Sequence, residues 1–181
     1  MPAKHANPRS VSLEYPLLGL LLETPAHGYE LTRLLSQQLG MLYHVNQSQV
    51  YATLERMLAR GWVVCQVLEQ EKKPARKRFS LTEAGKQHLK TWLYAVSRPS
   101  VQVIRLELPA RLFLLNRSDP AAIPGSIDAQ AAEIAATLAG LRPQLEALPE
   151  EQLYNRIALD LRIQQLEATL DWLENLRLTF I

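Results

Sequence analysis

Between Asn46 and Thr82 the hydrophobic period of the chain changes once, and that change limits the possible folds more than any other feature. Residues 46–61 read NQSQVYATLERMLARG. Val50, Leu54, Met57 and Leu58 recur at three-to-four spacing, so one side of this segment is an apolar helix face and the other is polar. Gly61 follows as a glycine stop. An apolar run, Trp62–Leu68, comes next, then a charged turn, Glu69–Arg78, and then Phe79–Thr82. This pattern predicts two strands, about 62–69 and 76–81, joined as a hairpin. A polar-faced helix running directly into a basic two-stranded hairpin is the layout of a winged helix-turn-helix. In that fold the helix enters a DNA major groove and the wing lies along the phosphates.

The flanking segments supply the rest of such a domain. Ser12 can cap a first helix carrying Leu13, Leu17, Leu18, Leu20, Leu21 and Leu22, with Pro16 in its first turn, where a missing N–H costs little. The helix stops before Thr24–Pro25, because the residue ahead of a proline avoids helical angles. His27–Gly28 opens a second helix and Gly40 ends it. Thr82 caps a fourth helix that leads into Leu89, Trp92, Leu93 and Val96. Arg98-Pro99-Ser100 marks the boundary, giving a DNA-binding domain over 1–97 and a helical dimerisation domain over 98–181.

Beyond the boundary the expected structure is all helix. Leu106–Leu115 reads as a short helix interrupted near Pro109, and Pro124-Gly125-Ser126 as a turn. Ile127, Ala131, Ile134, Leu138, Leu141, Leu145 and Leu148 keep a four-three seam, with a kink or a break expected near Leu141–Arg142 from Pro143. The last helix, about 150–179, repeats the seam at Leu159, Ile163, Leu166, Leu170 and Leu173, which are assigned to dimerisation. The two long helices are expected to pair antiparallel. Leu153, Ile157, Leu161, Leu176 and Leu178 leave surplus apolar surface, which points to a second copy of the chain. The predicted class is mostly α.

Charge separates the halves. Residues 1–96 hold 12 Lys and Arg against 7 Asp and Glu, a net +5, and residues 97–181 hold 8 against 11, a net −3. A basic half beside an acidic one is a cue for a nucleic-acid-facing module. The single cysteine, Cys65, excludes an internal disulfide and a cysteine-only zinc site. The run Leu17–Leu22 is too short to span a bilayer and no signal-peptide pattern is visible, so a cytoplasmic protein is expected. His5, His27, His44 and His88 have no metal-ligand spacing, and no phosphate loop or nucleophile elbow occurs; neither an enzyme nor a cofactor is expected.

The residues expected to meet DNA follow from the helix face. Ser48, Gln49, Ala52 and Arg56 lie opposite the core stripe, with Glu55 at its edge. Gln pairs bidentately with adenine, Ala touches a thymine methyl, and Arg reaches guanine or phosphate. Tyr51 sits at the margin, where partial burial and a phosphate contact are both open. Lys72, Lys73, Arg76, Lys77 and Arg78 put five cations within seven residues of the wing, suited to phosphates but indifferent to sequence. His27 and Tyr29 begin the second helix, whose N–H groups can hold a phosphate, while Gly28 serves the turn. Lys4, His5 and Arg9 stand in a basic N-terminal tail. The same surface would suit an acidic protein partner, so a winged-helix interaction module is the alternative.

LLGLLLETPAHGYEL (17–31), QVYATLERMLARGWV (49–63) and RKRFSLTEAGKQHL (76–89) together resemble the PadR family of bacterial transcription regulators. The C-terminal half, with RLELPARLFLL (105–115), is similar to the helical dimerisation domain of its larger, virulence-activator-like members. The resemblance implies a homodimer on a palindromic operator, usually as a repressor. It places Gln49, Tyr51 and the wing cations near double-stranded DNA, with a small-molecule effector in some members. Trp62 and Trp92 read as aromatic core, with a ligand cavity as the alternative. Pro16 and the segment MLYHVNQSQ (41–49) depart from the commoner family pattern.

Overall fold

The structure, a computed structural model, describes residues 12–70 and 73–180. Contacts divide the chain into two compact units, Met1–Tyr94 and Ala95–Ile181. The first holds helices α1 (Glu14–Glu23), α2 (Gly28–Leu39), α3 (Gln47–Ala59) and α4 (Glu83–Leu93). Its strands are β1 (Ala26–His27), β2 (Val63–Gln70) and β3 (Lys73–Leu81). The strands form an antiparallel sheet in the order β1-β3-β2. This is a winged helix-turn-helix.

The hairpin is longer on its second arm than the sequence suggests, and it has a third strand. Ala26 pairs with Phe79 and His27 with Arg78. Two residues between a proline and a glycine carry no readable period, so β1 is invisible in the sequence. The β2–β3 register runs from Val63 opposite Leu81 to Gln70 opposite Lys73, with an irregularity between Leu68 and Gln70. Phe79 is fully buried under the sheet together with Leu17, Leu18, Leu31, Leu35, Val50, Leu54 and Met57.

The ends of α3 are strongly specified. Asn46 Oδ1 accepts from the Gln49 N–H, and the Gln49 Oε1 accepts from the Asn46 N–H, both at 2.9 Å, a reciprocal capping box. At the other end Gly61 takes φ +72°, its N–H reaches the Leu58 carbonyl (3.0 Å), and the Trp62 N–H reaches Met57 (3.0 Å). That double bond is a Schellman closure, which needs the left-handed residue that glycine supplies without a Cβ clash. Thr82 then joins helix and wing. Its N–H donates to the Trp62 carbonyl (3.0 Å), its hydroxyl donates to the Gly61 carbonyl (2.7 Å), and the same oxygen accepts from Gly85 N–H at the start of α4 (3.0 Å).

Trp62 and Trp92 belong to a column of stacked rings. Trp62 lies 3.8 Å from His88, His88 5.3 Å from Tyr15, and Tyr15 4.4 Å from Trp92, centroid to centroid. Arg60 covers the outer face of Trp62 and pairs with Glu14 at 2.7 Å, so α1, the end of α3 and α4 are clamped together. Burial pushes the His88 imidazole below its ordinary pKa; Arg60 adds to this and Glu14 opposes it. Aromatic packing is the role of both tryptophans here.

The second unit contains α5 (Val101–Ser118), α6 (Ile123–Ala147) and α7 (Leu153–Arg177), with 3-10 turns at Pro120–Ala122 and Leu178–Phe180. The interruption expected at Pro109, a break at Pro143 and the turn at Pro124 do not occur. α5 runs through Pro109 and α6 through Pro143, while Pro124 falls in the first turn of α6, where no bond is lost. An internal proline deletes one backbone bond; buried residues on both sides, Ile104 and Leu108 before Pro109 and Leu112 and Leu115 after it, hold the helix together. Ser97 joins this unit through Gln130, exchanging two backbone–amide bonds (2.9 and 3.0 Å), and through Arg111 (3.1 Å) and Glu107 (2.9 Å). The division at 94/95 therefore precedes the boundary read from the sequence at 97/98.

α6 and α7 are antiparallel: Asp128 meets Arg177 at 3.2 Å and Arg142 meets Glu167 at 2.7 Å. The α7 seam is spent inside the chain. Ile163, Leu166 and Leu173 are buried, and Leu159 and Leu170 are partly covered, so the residues assigned to dimerisation face the chain's own core. At about 100° per residue, Tyr154, Ile157, Leu161 and Trp172 line the opposite side of α7, exposed by 84, 54, 54 and 43%. Ile157 and Leu161 are among the surplus apolar residues expected from the sequence, and the seam itself is what the chain covers. Among the described residues no helix is long and apolar enough to cross a membrane.

Candidate nucleic-acid interface

The polar face of α3 stands as the helical spacing predicts. Ser48, Gln49, Ala52, Glu55 and Arg56 are exposed, Val50, Thr53, Leu54 and Met57 are buried, and Tyr51 is intermediate. Glu55 pairs with the wing, and two others are engaged within the helix. The carboxamide oxygen of Gln49 holds the helix cap, so bidentate pairing with adenine requires that bond to open. Arg56 donates from Nη2 to Thr53 Oγ1 (2.9 Å), and Thr53 donates back to the Gln49 carbonyl (2.9 Å), fixing the direction in which the guanidinium leaves the helix. Thr53 is a positioning residue that the sequence reading missed. Its signal is a buried β-branched hydroxyl four residues after Gln49, where it can bond back to the preceding turn.

Tyr51 closes against α2. A Cβ on Gly28 would stand 2.5 Å from the Tyr51 Cζ and 2.7 Å from Cε1, so Gly28 is small because the phenol ring lies on its backbone. Its backbone angles are ordinary, since Gly61 is the positive-φ glycine among the described residues. The turn role expected for Gly28 is thereby replaced by close packing.

The N-terminus of α2 is filled from within. Glu30 Oε2 accepts the His27 N–H at 2.8 Å, and Tyr29 donates to Oε1 at 3.2 Å. The His27 N–H and the Tyr29 hydroxyl hold the Glu30 carboxyl below the usual carboxylate range. The Glu30 carboxylate therefore takes the His27 N–H at the start of the helix where a phosphate contact is expected. His27 donates from Nδ1 to the Lys77 carbonyl (2.9 Å), bracing the wing, and stacks on exposed Tyr29 at 5.9 Å.

On the wing, Lys77 pairs with Glu55 at 2.8 Å, and Arg78 reaches the Pro25 carbonyl with two long contacts of 3.4 Å. Lys73 and Arg76 occupy β3 opposite Gln70 and Leu68. Lys72 and the tail residues Lys4, His5 and Arg9 lie outside the described residues. Among the described residues no cluster of His, Cys, Asp or Glu could hold a metal ion.

One family model, the transcriptional regulator PadR-like family, matches residues 17–91, from α1 to α4. A second, the virulence activator alpha C-terminal domain, matches 104–178. The chain belongs to the PadR family. The PadR-like match coincides with the winged helix described above. It is 28% identical over 104 residues to the negative transcriptional regulator PadR of Bacillus subtilis, covering 58% of this chain and 57% of that one. It is also 28% identical over 83 residues to Rv1176c of Mycobacterium tuberculosis, covering 46% and 44%. The matches thus span about half the length of these curated relatives. Among solved structures, Bacillus subtilis PadR in complex with operator DNA aligns with a TM-score of 0.47 at 22% identity, over 93% of this chain and 99% of that chain.

Proposed function

We propose that this PadR-family chain is a homodimeric repressor that binds a palindromic operator. The two α3 helices enter successive major grooves, and the wings grip the flanking phosphates. One observation carries the reading: the exposed stripe Ser48, Gln49, Ala52 and Arg56 lies on a helix tied directly to the basic strand β3 through Glu55 and Lys77. The expected groove-reading stripe and the basic strand therefore adjoin on one surface. Repression is supported by the similarity to a negative regulator. Dimerisation is supported by the uncovered apolar side of α7, since a stripe of Tyr, Ile, Leu and Trp opposite a filled seam favours burial against a second copy.

A mobility shift of the chain's own upstream promoter at two salt concentrations tests the reading. Retardation at low salt that weakens steeply at high salt is expected. Failure to retard any duplex would leave the fold as a protein-interaction module. The dimer has its own test. Ile157→Glu with Leu161→Glu changes two half-exposed positions, so the monomer should lose no more than about 0.5 kcal/mol per site. Sedimentation equilibrium is expected to give two chains for the wild type and one for the variant. Operator affinity should fall by roughly 100-fold or more, because the second half-site loses its tether. A variant that remains dimeric would move the interface elsewhere.

A further inference from the structure

Glu55 is a carboxylate on the side of α3 that should face DNA. It follows Ser48 by seven residues and Ala52 by three, so all three share one stripe. Left alone there, it would repel phosphates. Its Oε1 instead accepts from Lys77 Nζ at 2.8 Å, with the two side chains 49 and 48% exposed. The backbone at Lys77 is fixed independently: its carbonyl accepts from His27 Nδ1 (2.9 Å), and neighbouring Arg78 pairs in register with His27 of β1. The Glu55 hydrogen bond and charge also hold the Lys77 ammonium above its ordinary pKa, so it remains a full cation while paired.

We propose that Glu55 is a specificity-determining residue that holds Lys77 back from the DNA backbone, so that sequence-independent binding proceeds with one wing cation withheld. The inference rests on the DNA-binding reading above. Lys77 gains little by exchanging a carboxylate for a phosphate, because the exchange strands Glu55 as a bare anion against the duplex. The exchange becomes favourable where Glu55 finds a replacement donor, and in the major groove the N4 amino group of cytosine is one. The pair is exposed and therefore individually weak, as a latch that must open requires. Base recognition by Glu55 and phosphate contact by Lys77 are then linked events.

The test is a double-variant cycle on the full chain, read by fluorescence anisotropy with a random-sequence duplex between 50 and 200 mM KCl. Glu55→Gln is expected to free Lys77 and steepen the slope of log affinity against log salt by about 0.9, the value for one added phosphate contact. Across that fourfold salt range the affinity lost on raising salt grows by about 3.5-fold. In a Lys77→Gln background the same change at Glu55 is expected to leave the slope where it was. Equal steepening in both backgrounds would mean a general charge effect, and no steepening in either would mean no latch; each overturns the inference while DNA binding stands. Wild-type protein whose duplex binding is absent or insensitive to salt would remove both the inference and the reading beneath it. Both positions are half-exposed, so thermal melts matching the wild type will show that all four proteins are folded.

Discussion

Gly85→Ala is expected to cost about 3 kcal/mol or more of stability and to lower the melting temperature by roughly 10 °C. Gly85 opens α4 directly beneath the corner where α3 turns into the wing. A Cβ there would fall onto the Trp62 carbonyl oxygen, with the Trp62 carbonyl carbon at 3.0 Å and Leu81 Cδ1 at 2.8 Å. The leucine can rotate away, but the carbonyl cannot. It already accepts the Thr82 N–H, and the same threonine oxygen accepts from Gly85, so moving one of the three moves all of them. Gly125 and Gly140, both in α6, have nothing within 4 Å of an added Cβ. Alanine there should be neutral or stabilising by up to about 1 kcal/mol, because alanine is the better helix former. Thermal unfolding of the three variants gives the comparison. A Gly85→Ala melt within about 2 °C of wild type would mean that α4 does not approach the wing corner this closely.

Removing the wing charges should produce the second large effect. Lys72, Lys73 and Arg76 are three of the five cations at the wing, and replacing all three with alanine is expected to flatten the salt slope of duplex binding by roughly 2.7. Between 50 and 200 mM salt, the affinity lost would shrink by about forty-fold. The loss should be nearly the same for any duplex, since phosphate contacts carry no sequence information. Arg56→Ala should behave oppositely. It should cost operator binding about 1–3 kcal/mol, as one lost bidentate base contact does, while random duplex changes little. An unchanged slope in the wing variant would detach the wing from the phosphates, and an equal loss on both duplexes for Arg56→Ala would make that residue a phosphate contact.

The sequence carried the large-scale features because each rested on a period or a stop signal. The apolar face of α3 is legible in Val50, Leu54 and Met57, its end in Gly61, and the hairpin in the switch from helical to strand spacing. What it hid depends on contacts between segments distant in the chain. β1 is two residues long, and its identity comes only from pairing with Phe79 and Arg78. The start of α2 looks like an open anion cradle until Glu30 is seen to fold back into it. Gln49 looks like a free reader until its side chain closes the cap. Pro109 reads as a break because local propensity disfavours it, and buried residues on both sides override it; α6 likewise runs through Pro143. The seam leucines of α7 and the surplus apolar residues Ile157 and Leu161 are both legible in the sequence, but periodicity alone does not say which set the chain covers with its own core.

The most direct test of the central claim is to locate DNA on the protein. Amide chemical shifts of the isotope-labelled chain would be followed while a duplex from its own promoter is added. The largest changes are expected at Ser48, Gln49, Ala52 and Arg56 and along β3 around Lys77 and Arg78, diminishing as salt is raised. Changes confined to α6 and α7, with α3 and the wing unmoved, would contradict it.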